Sequence, residues 1–307
     1  NELIRKTKTK NVGSFFLYGQ KRVGKTSIVK TLKSCLPIEE DFAAVYIDGT
    51  TVRQTEAIST INALGRKLCR ALRREHSGFK TIQIPDFSGS LTPLLEFIED
   101  LWEVNPDLKV LMIVDEFDEF PIDIYHRGPV GDTLFSNFRG MTNEHNIGFI
   151  LVGSENIPKI ISMQGYRENN WDVKKIDVFN YEREFSSFAE LIRKPMEGDF
   201  EYSFDSIEFI YQLTNGNPYF TNIICDKIFK IACDKKDAYI SLNDAENAAE
   251  MVVEQTSENR FQHYWEDGIL EHYEKREEVS ITRRRILIAI AEVIRKKEPV
   301  RKFSIQE

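Results

Sequence analysis

The sequence predicts an α/β fold, a parallel sheet covered by helices on both faces and followed by a helical domain. Three observations predict it. Short apolar runs recur at residues 14–18, 43–47, 110–114, 149–152 and 173–178. Stretches of helical spacing separate them, and strands alternating with helices imply crossover units and a parallel sheet. After Phe179 the alternation stops and helices joined by short turns take over.

The elements follow in order. Residues 14–18 run straight into a Gly-containing, Lys-ending loop and then into helical spacing over 27–36. The second strand, 43–47, precedes helices expected at 55–75 and 91–104. The third, 110–114, ends in acids and is followed by a helix over 132–144. The fourth, 149–152, leads to a helix from Ile157, and 173–178 supplies the fifth strand. Beyond it, Asp205 reads as an N-cap with Glu208 as its capping-box partner, and that helix stops at Asn215-Gly216. The next helix starts near Pro218, where a proline costs no helical hydrogen bond. A β-like piece at 239–242 and a helix after Asn243 and Asp244 follow. From Arg260 the chain is first aromatic (Phe261, Tyr264, Trp265) and then helical around 286–294. At 307 residues one core is too few, so divisions are expected at 1–180, 181–259 and 260–307.

Composition excludes several classes. Apolar residues at 41% and charged residues at 29% are those of a folding globular chain. A net charge of −8 argues against non-specific polyanion binding by the whole molecule. Cys35, Cys69, Cys225 and Cys233 form no CxxC pair, so they read as buried free thiols and no zinc site is expected. No apolar run approaches the roughly 20 residues that span a bilayer, and no signal peptide opens the chain, so no membrane partner and a cytoplasmic location are expected. The first residue is not Met and the last lie just past a basic helix, which reads as part of a longer protein.

The chemistry concentrates at strand ends. Gly19-Gln20-Lys21-Arg22-Val23-Gly24-Lys25-Thr26 fits the P-loop pattern in full, between a strand and a helix that begins with Lys25, Thr26 and Ser27. Triphosphate needs inward-turned backbone N–H groups, which glycine permits, with Gly24 serving that purpose best. The helix N-terminus and the Lys25 ammonium meet the phosphates, and the Thr26 hydroxyl serves Mg²⁺. ATP or ADP with Mg²⁺ is therefore the expected cofactor. Asp115 and Glu116 fall at the carboxyl end of the third strand, where open parallel sheets bind ligands. Asp115 is expected to hold Mg²⁺ through water and Glu116 to deprotonate the attacking water. Asp118 and Glu119 read as solvated, with Phe117, Phe120 and Pro121 packing the loop. Gly153-Ser154-Glu155-Asn156 ends the fourth strand, where Ser154 or Asn156 senses the γ-phosphate or caps the following helix.

Residues 17–26, the strand ending Asp115-Glu116, and Thr214-Asn215-Gly216-Asn217-Pro218-Tyr219-Phe220 together resemble the STAND class of prokaryotic P-loop ATPases, relatives of AAA+ and origin-recognition ATPases. The resemblance covers about residues 12–260. It implies an AAA+-like nucleotide domain, a helical lid and the start of a winged-helix-like segment, with no histidine motif found in that last part. It also implies that Gly216, Asn217, Pro218 and Tyr219 lie near the nucleotide. Arg167 matches an arginine offered to the γ-phosphate of the same or a neighbouring subunit; an exposed arginine is the alternative. The class implies a switch: ADP-bound monomer, a trigger ligand or protein, nucleotide exchange, homo-oligomer, an effector in the same full-length chain, and frequent service in antiviral defence. The runner-up is a DNA-binding, initiator-like ATPase. It rests on basic residues at 283–285, 295–297 and 301–302, a cluster that otherwise reads as a solvated face, as does the stripe at 66–74.

Overall fold

The computed structural model describes residues 12–36, 42–143, 146–165, 171–255, 266, 269 and 275–296. It divides into two compact units, Asn1–Val252 and Val253–Glu307. In the first, strands β1 (Phe15–Tyr18), β2 (Phe42–Asp48), β3 (Lys109–Asp115), β4 (Ile147–Gly153) and β5 (Asp172–Lys175) form one sheet in the order β2-β3-β4-β1-β5. Every pairing in it is parallel.

Period-two alternation explains why these runs are almost wholly apolar. Phe15, Leu17, Leu111, Ile113, Ile150 and Val152 point to one face, against Val29 and Leu32 of helix α1 (Lys25–Cys35). Their neighbours Phe16, Val110, Met112, Val114, Phe149 and Leu151 point to the other. That face is covered by α2 (Ala57–Glu75), α3 (Thr92–Trp102), α4 (Pro129–Asn143) and α5 (Ile157–Met163). A strand buried on both sides cannot alternate polar with apolar, so it reads as a continuous hydrophobic run.

A second core is entirely separate in sequence. Helices α6 (Tyr181–Arg193), α7 (Phe204–Thr214), α8 (Pro218–Lys235) and α9 (Leu242–Gln255) bury Phe188, Ile192, Ile207, Ile210, Ile224, Ile228 and Ala245, with the short parallel pair β6 (Glu201–Tyr202) and β7 (Tyr239–Ile240) at one side. Capping differs from the sequence expectation. Ser203, not Asp205, caps α7 by accepting from Ser206 N–H, and Glu208 instead accepts from the Tyr181 hydroxyl at 2.9 Å. Ser203 is in the extended conformation an N-cap needs, whereas Asp205 already lies in the first turn of the helix. The C-terminal stop is as expected, with Asn215 left-handed (φ 49°) and Gly216 following at φ 69°. Helix α9 begins at Leu242, ahead of Asn243, because the Ser241 hydroxyl accepts from Asp244 N–H.

In the second unit, α10 (Arg276–Lys296) starts ten residues earlier than 286. The aromatics at 261, 264 and 265 lie outside the described residues. Of the cysteines, Cys69 is buried and Cys225 half-buried, whereas Cys35 and Cys233 are exposed, contrary to expectation. No described helix is long and apolar enough to cross a membrane.

One glycine sets how β2 and β3 end together. A Cβ at Gly49 would stand 2.5 Å from the Asp115 carbonyl oxygen and 2.9 Å from that of Glu116. Backbone cannot yield there cheaply, so Gly49→Ala is expected to destabilise the protein by about 1–3 kcal/mol, read as a lower urea midpoint at unchanged m-value.

Candidate functional site

Because all five strands run in one direction, the carboxyl ends of β1, β3 and β4 lie along a single edge. The loop after β1 carries two left-handed residues, Arg22 (φ 68°) and Gly24 (φ 101°). Such backbone turns successive N–H groups toward a common concavity. Gly24 has open space around a notional Cβ, so its glycine is required by conformation, not room. It stands at the N-cap of α1 with no side-chain cap, which leaves the first-turn N–H groups directed at the loop.

Lys25 is buried, and its Nζ donates to the carbonyls of Gly19 at 2.8 Å and Gln20 at 2.9 Å, placing the ammonium across the mouth of the loop. Val23 is buried, Ser27 exposed on the first turn of α1. Lys21 reaches Glu119 at 3.3 Å, and Glu119 also meets Arg53 at 3.6 Å. Glu119 is thus an ion-paired tie between the loop and the segment after β3, not a solvated acid.

The two segments meet at Asp115. Thr26 Oγ1 donates to Asp115 Oδ2 at 2.6 Å across 89 residues of sequence, and Asp115 is 2% exposed. The Tyr46 hydroxyl, from β2, donates to the same oxygen at 2.9 Å, and Glu116 N–H donates to Oδ1 at 3.0 Å. Burial first, then the Asp115 carboxylate, raise Tyr46 above the ordinary phenol range, so it serves as a donor. Glu116 is left-handed at φ 50°, a conformation that costs a non-glycine residue energy and aims its side chain away from the strand direction. Burial, then Asp118 and Asp115, push its carboxyl up to about 7 against the opposing pull of Lys25 and Lys21.

Asp118 corrects the sequence reading most sharply. It is 8% exposed, and its Oδ2 accepts from Ser154 N–H at 3.1 Å, from the Ser154 hydroxyl and from Asn156 Nδ2 at 3.5 Å. Both 154 and 156 are buried, so the end of β4 is bound to the loop after β3. The Asn156 side chain caps nothing in α5. Around them Phe117 packs edge-on to Phe120, Tyr125, Phe135 and Phe138, and the Tyr125 hydroxyl donates to Phe117 O while accepting from Phe120 N–H at 2.7 Å.

Asn217 Oδ1 caps α8 through Tyr219 N–H at 2.9 Å, and Gly216 O accepts from Phe179 N–H at 3.1 Å. Pro218 opens α8, and the Tyr219 ring lies under the Arg22 guanidinium, 4.3 Å from carbon to ring centroid. The helical part therefore touches the loop directly. Arg167 lies outside the described residues.

An oxygen donor set of one hydroxyl and one carboxylate suits Mg²⁺, which takes one or two protein carboxylates and completes its shell with phosphate oxygens and water. No group of three or more His, Cys, Asp or Glu is set to hold a metal among the described residues, so a cation here depends on those outside ligands. Sequence reasoning missed Tyr46. The one signal it carried was a hydroxyl-bearing aromatic two residues from the carboxyl end of a mostly apolar strand.

The AAA domain family profile matches residues 8–161, half of the chain. Among solved structures, the ORC2 protein of Aeropyrum pernix, determined as ADPNP–ADP complexes, aligns at TM-score 0.55 and 12% identity over 85% of this chain and 67% of that one. Cdc6p from Pyrobaculum aerophilum aligns at 0.54 and 18% over the same shares. The RuvB Holliday junction branch migration motor of Thermotoga maritima aligns at 0.50 and 12%, over 82% and 66%. At these identities the likeness is one of fold. No curated protein matches by sequence.

Ser154→Ala removes a donor from a buried carboxylate. A loss of about 1–3 kcal/mol in unfolding free energy is expected, measured by urea denaturation.

Proposed function

The chain belongs to the AAA domain family, and from that premise we propose that it binds ATP with Mg²⁺ in the loop 19–26 and hydrolyses it. The single observation that carries this reading is the Thr26–Asp115 hydrogen bond, which brings the phosphate-binding loop and the acidic strand end to one point. The backbone of 19–24, the start of α1 and the Lys25 ammonium bind the polyphosphate. Thr26 directly and Asp115 through water would hold Mg²⁺, whose chemistry there would be to neutralise charge on the phosphate oxygens. Both lone-pair directions of Asp115 Oδ2 are occupied by hydroxyls, which supports indirect contact.

Glu116 takes a proton from the attacking water. Its carboxyl, pushed up to about 7 by burial and by Asp118, suits a base working near neutrality. Ser154 and Asn156, fixed by Asp118, register the γ-phosphate from the end of β4. Residues 181–259 act as a lid whose first contact with the loop is Tyr219 on Arg22. Pro218 and Tyr219 would thereby adjoin the nucleotide, and Arg167, outside the described residues, would be the arginine offered to the γ-phosphate of the same or a neighbouring subunit.

For the output of the cycle, the fold shared with the ORC2 protein, Cdc6p and a Holliday junction motor favours an initiator-like ATPase working on DNA as a homo-oligomer. The second reading, a STAND-type signalling switch in antiviral defence, has in its favour the turn at 214–220, where Asn217 caps the helix that meets the loop.

Lys25→Ala deletes a charge-assisted contact to phosphate, and calorimetry should show ATP affinity reduced roughly 10- to 100-fold. Unaltered affinity would remove Lys25 from the site. Glu116→Gln should bind ATP as tightly as the parent while turnover falls by about 10²–10⁴; full turnover would reject the base assignment. DNA affinity that drops steeply with rising salt favours the initiator-like output, and no binding at low salt favours the signalling one.

A further inference from the structure

We propose that Tyr46 is a positioning residue for the metal half of the site: its hydroxyl sets the rotation of the Asp115 carboxylate and so strengthens magnesium binding, not nucleotide binding as such. This rests on the reading of Thr26 and Asp115 as the Mg²⁺ site.

Asp115 is held by three donors from three separate parts of the chain. Thr26 and Tyr46 share Oδ2 at 2.6 Å and 2.9 Å, and Oδ1 accepts the Glu116 N–H at 3.0 Å. A carboxylate oxygen offers two lone-pair directions. Oδ2 is saturated, while Oδ1 keeps one direction for a metal-bound water. Of the two hydroxyls on Oδ2, that of Thr26 belongs to a residue assigned to the ion itself. Tyr46 is the donor with no other duty there, and it fixes which oxygen faces the ion.

The hydroxyl is separable from the ring. The Tyr46 ring packs against the core between the sheet and α1, and the Lys30 ammonium lies 5.1 Å from its centroid. Replacement by phenylalanine keeps the ring, its packing and the Lys30 contact, and removes one oxygen. Register places Tyr46 opposite Ile113, two residues short of Asp115, so its hydroxyl reaches along the sheet toward the strand end without backbone adjustment.

The test measures binding of a non-hydrolysable ATP analogue to the parent protein and to Tyr46→Phe, by calorimetry in EDTA and across a Mg²⁺ titration. Partners one shell out from a metal ordinarily govern affinity by 10- to 100-fold, so the Mg²⁺ concentration that gives half of the metal-dependent gain should rise about 10-fold in the variant, with affinity in EDTA held within about twofold. An unchanged Mg²⁺ midpoint overturns the inference while leaving the site reading intact. Affinity in EDTA falling in step with that in Mg²⁺ also overturns it, because the hydroxyl then supports the loop as a whole. If Mg²⁺ leaves the parent's affinity unaltered, the metal reading itself fails and the inference falls with it.

Discussion

A buried carboxylate must be given hydrogen bonds or it destabilises the fold that buries it. Asp115 is such a group, and the way its demand is met organises the rest of the edge. One donor comes from the first turn of α1, one from β2 and one from the backbone of the residue that follows. Each donor has to be within about 3 Å, so β1, β2 and β3 must end at the same height. The parallel order β2-β3-β4-β1-β5 satisfies that, although β4 separates β1 from β3. Gly49 removes the last obstacle by letting the turn after β2 lie against the carbonyls of Asp115 and Glu116.

A second carboxylate repeats the arrangement one strand over. Asp118 draws its donors from the end of β4, and the short aromatic-walled loop between it and Asp115 is pinned by Tyr125. Three acids within four residues would repel one another if left together in water-poor surroundings. Here each faces a different partner: Asp115 the hydroxyls, Asp118 the β4 end, and Glu116 the loop side, where Lys25 and Lys21 pull its carboxyl down while burial and its acidic neighbours raise it. The raised value of Glu116 comes first from its own burial and then from the two carboxylates beside it, Asp118 and Asp115.

This accounting also explains what was legible in the sequence. Strands and the P-loop were readable because both faces of the sheet are buried and because phosphate binding fixes glycine, lysine and hydroxyl at set spacings. Strand ends were read to within two residues except at the fifth, where pairing stops at Lys175 and only Ile176 N–H continues it by bonding to Tyr18 O. Asp118 and Glu119 were misread because an acid in a loop carries no sign of its partner; Ser154 lies 36 residues away and Arg53 comes from a different strand connection. The role of Tyr46 was hidden for the same reason: its hydroxyl meets Asp115 across 69 residues, and a tyrosine within 42–48 carries no sign of that partner. Local signals such as the Asn215–Gly216 stop survived, whereas caps chosen among several polar residues, as at Ser203 against Asp205, did not.

Coupling between the nucleotide loop and the helices after 180 has a physical basis only if some contact between them changes with what the loop holds. The contact of Arg22 with Tyr219 supplies the physical link, because Arg22 belongs to the loop 19–26 and Tyr219 sits on the first turn of α8. The turn behind it is stiff. Gly216 accepts from Phe179 N–H, a Cβ there would stand 2.4 Å from Phe179 O, and the Tyr211 hydroxyl holds that same carbonyl at 2.7 Å. A shift of Tyr219 is therefore carried into the connection between β5 and α6, not absorbed in a loose loop. The left-handed angle of Arg22 adds a backbone cost that its ring contact helps to offset, so a rearrangement of 19–24 that moved Arg22 would also alter its contact with Tyr219.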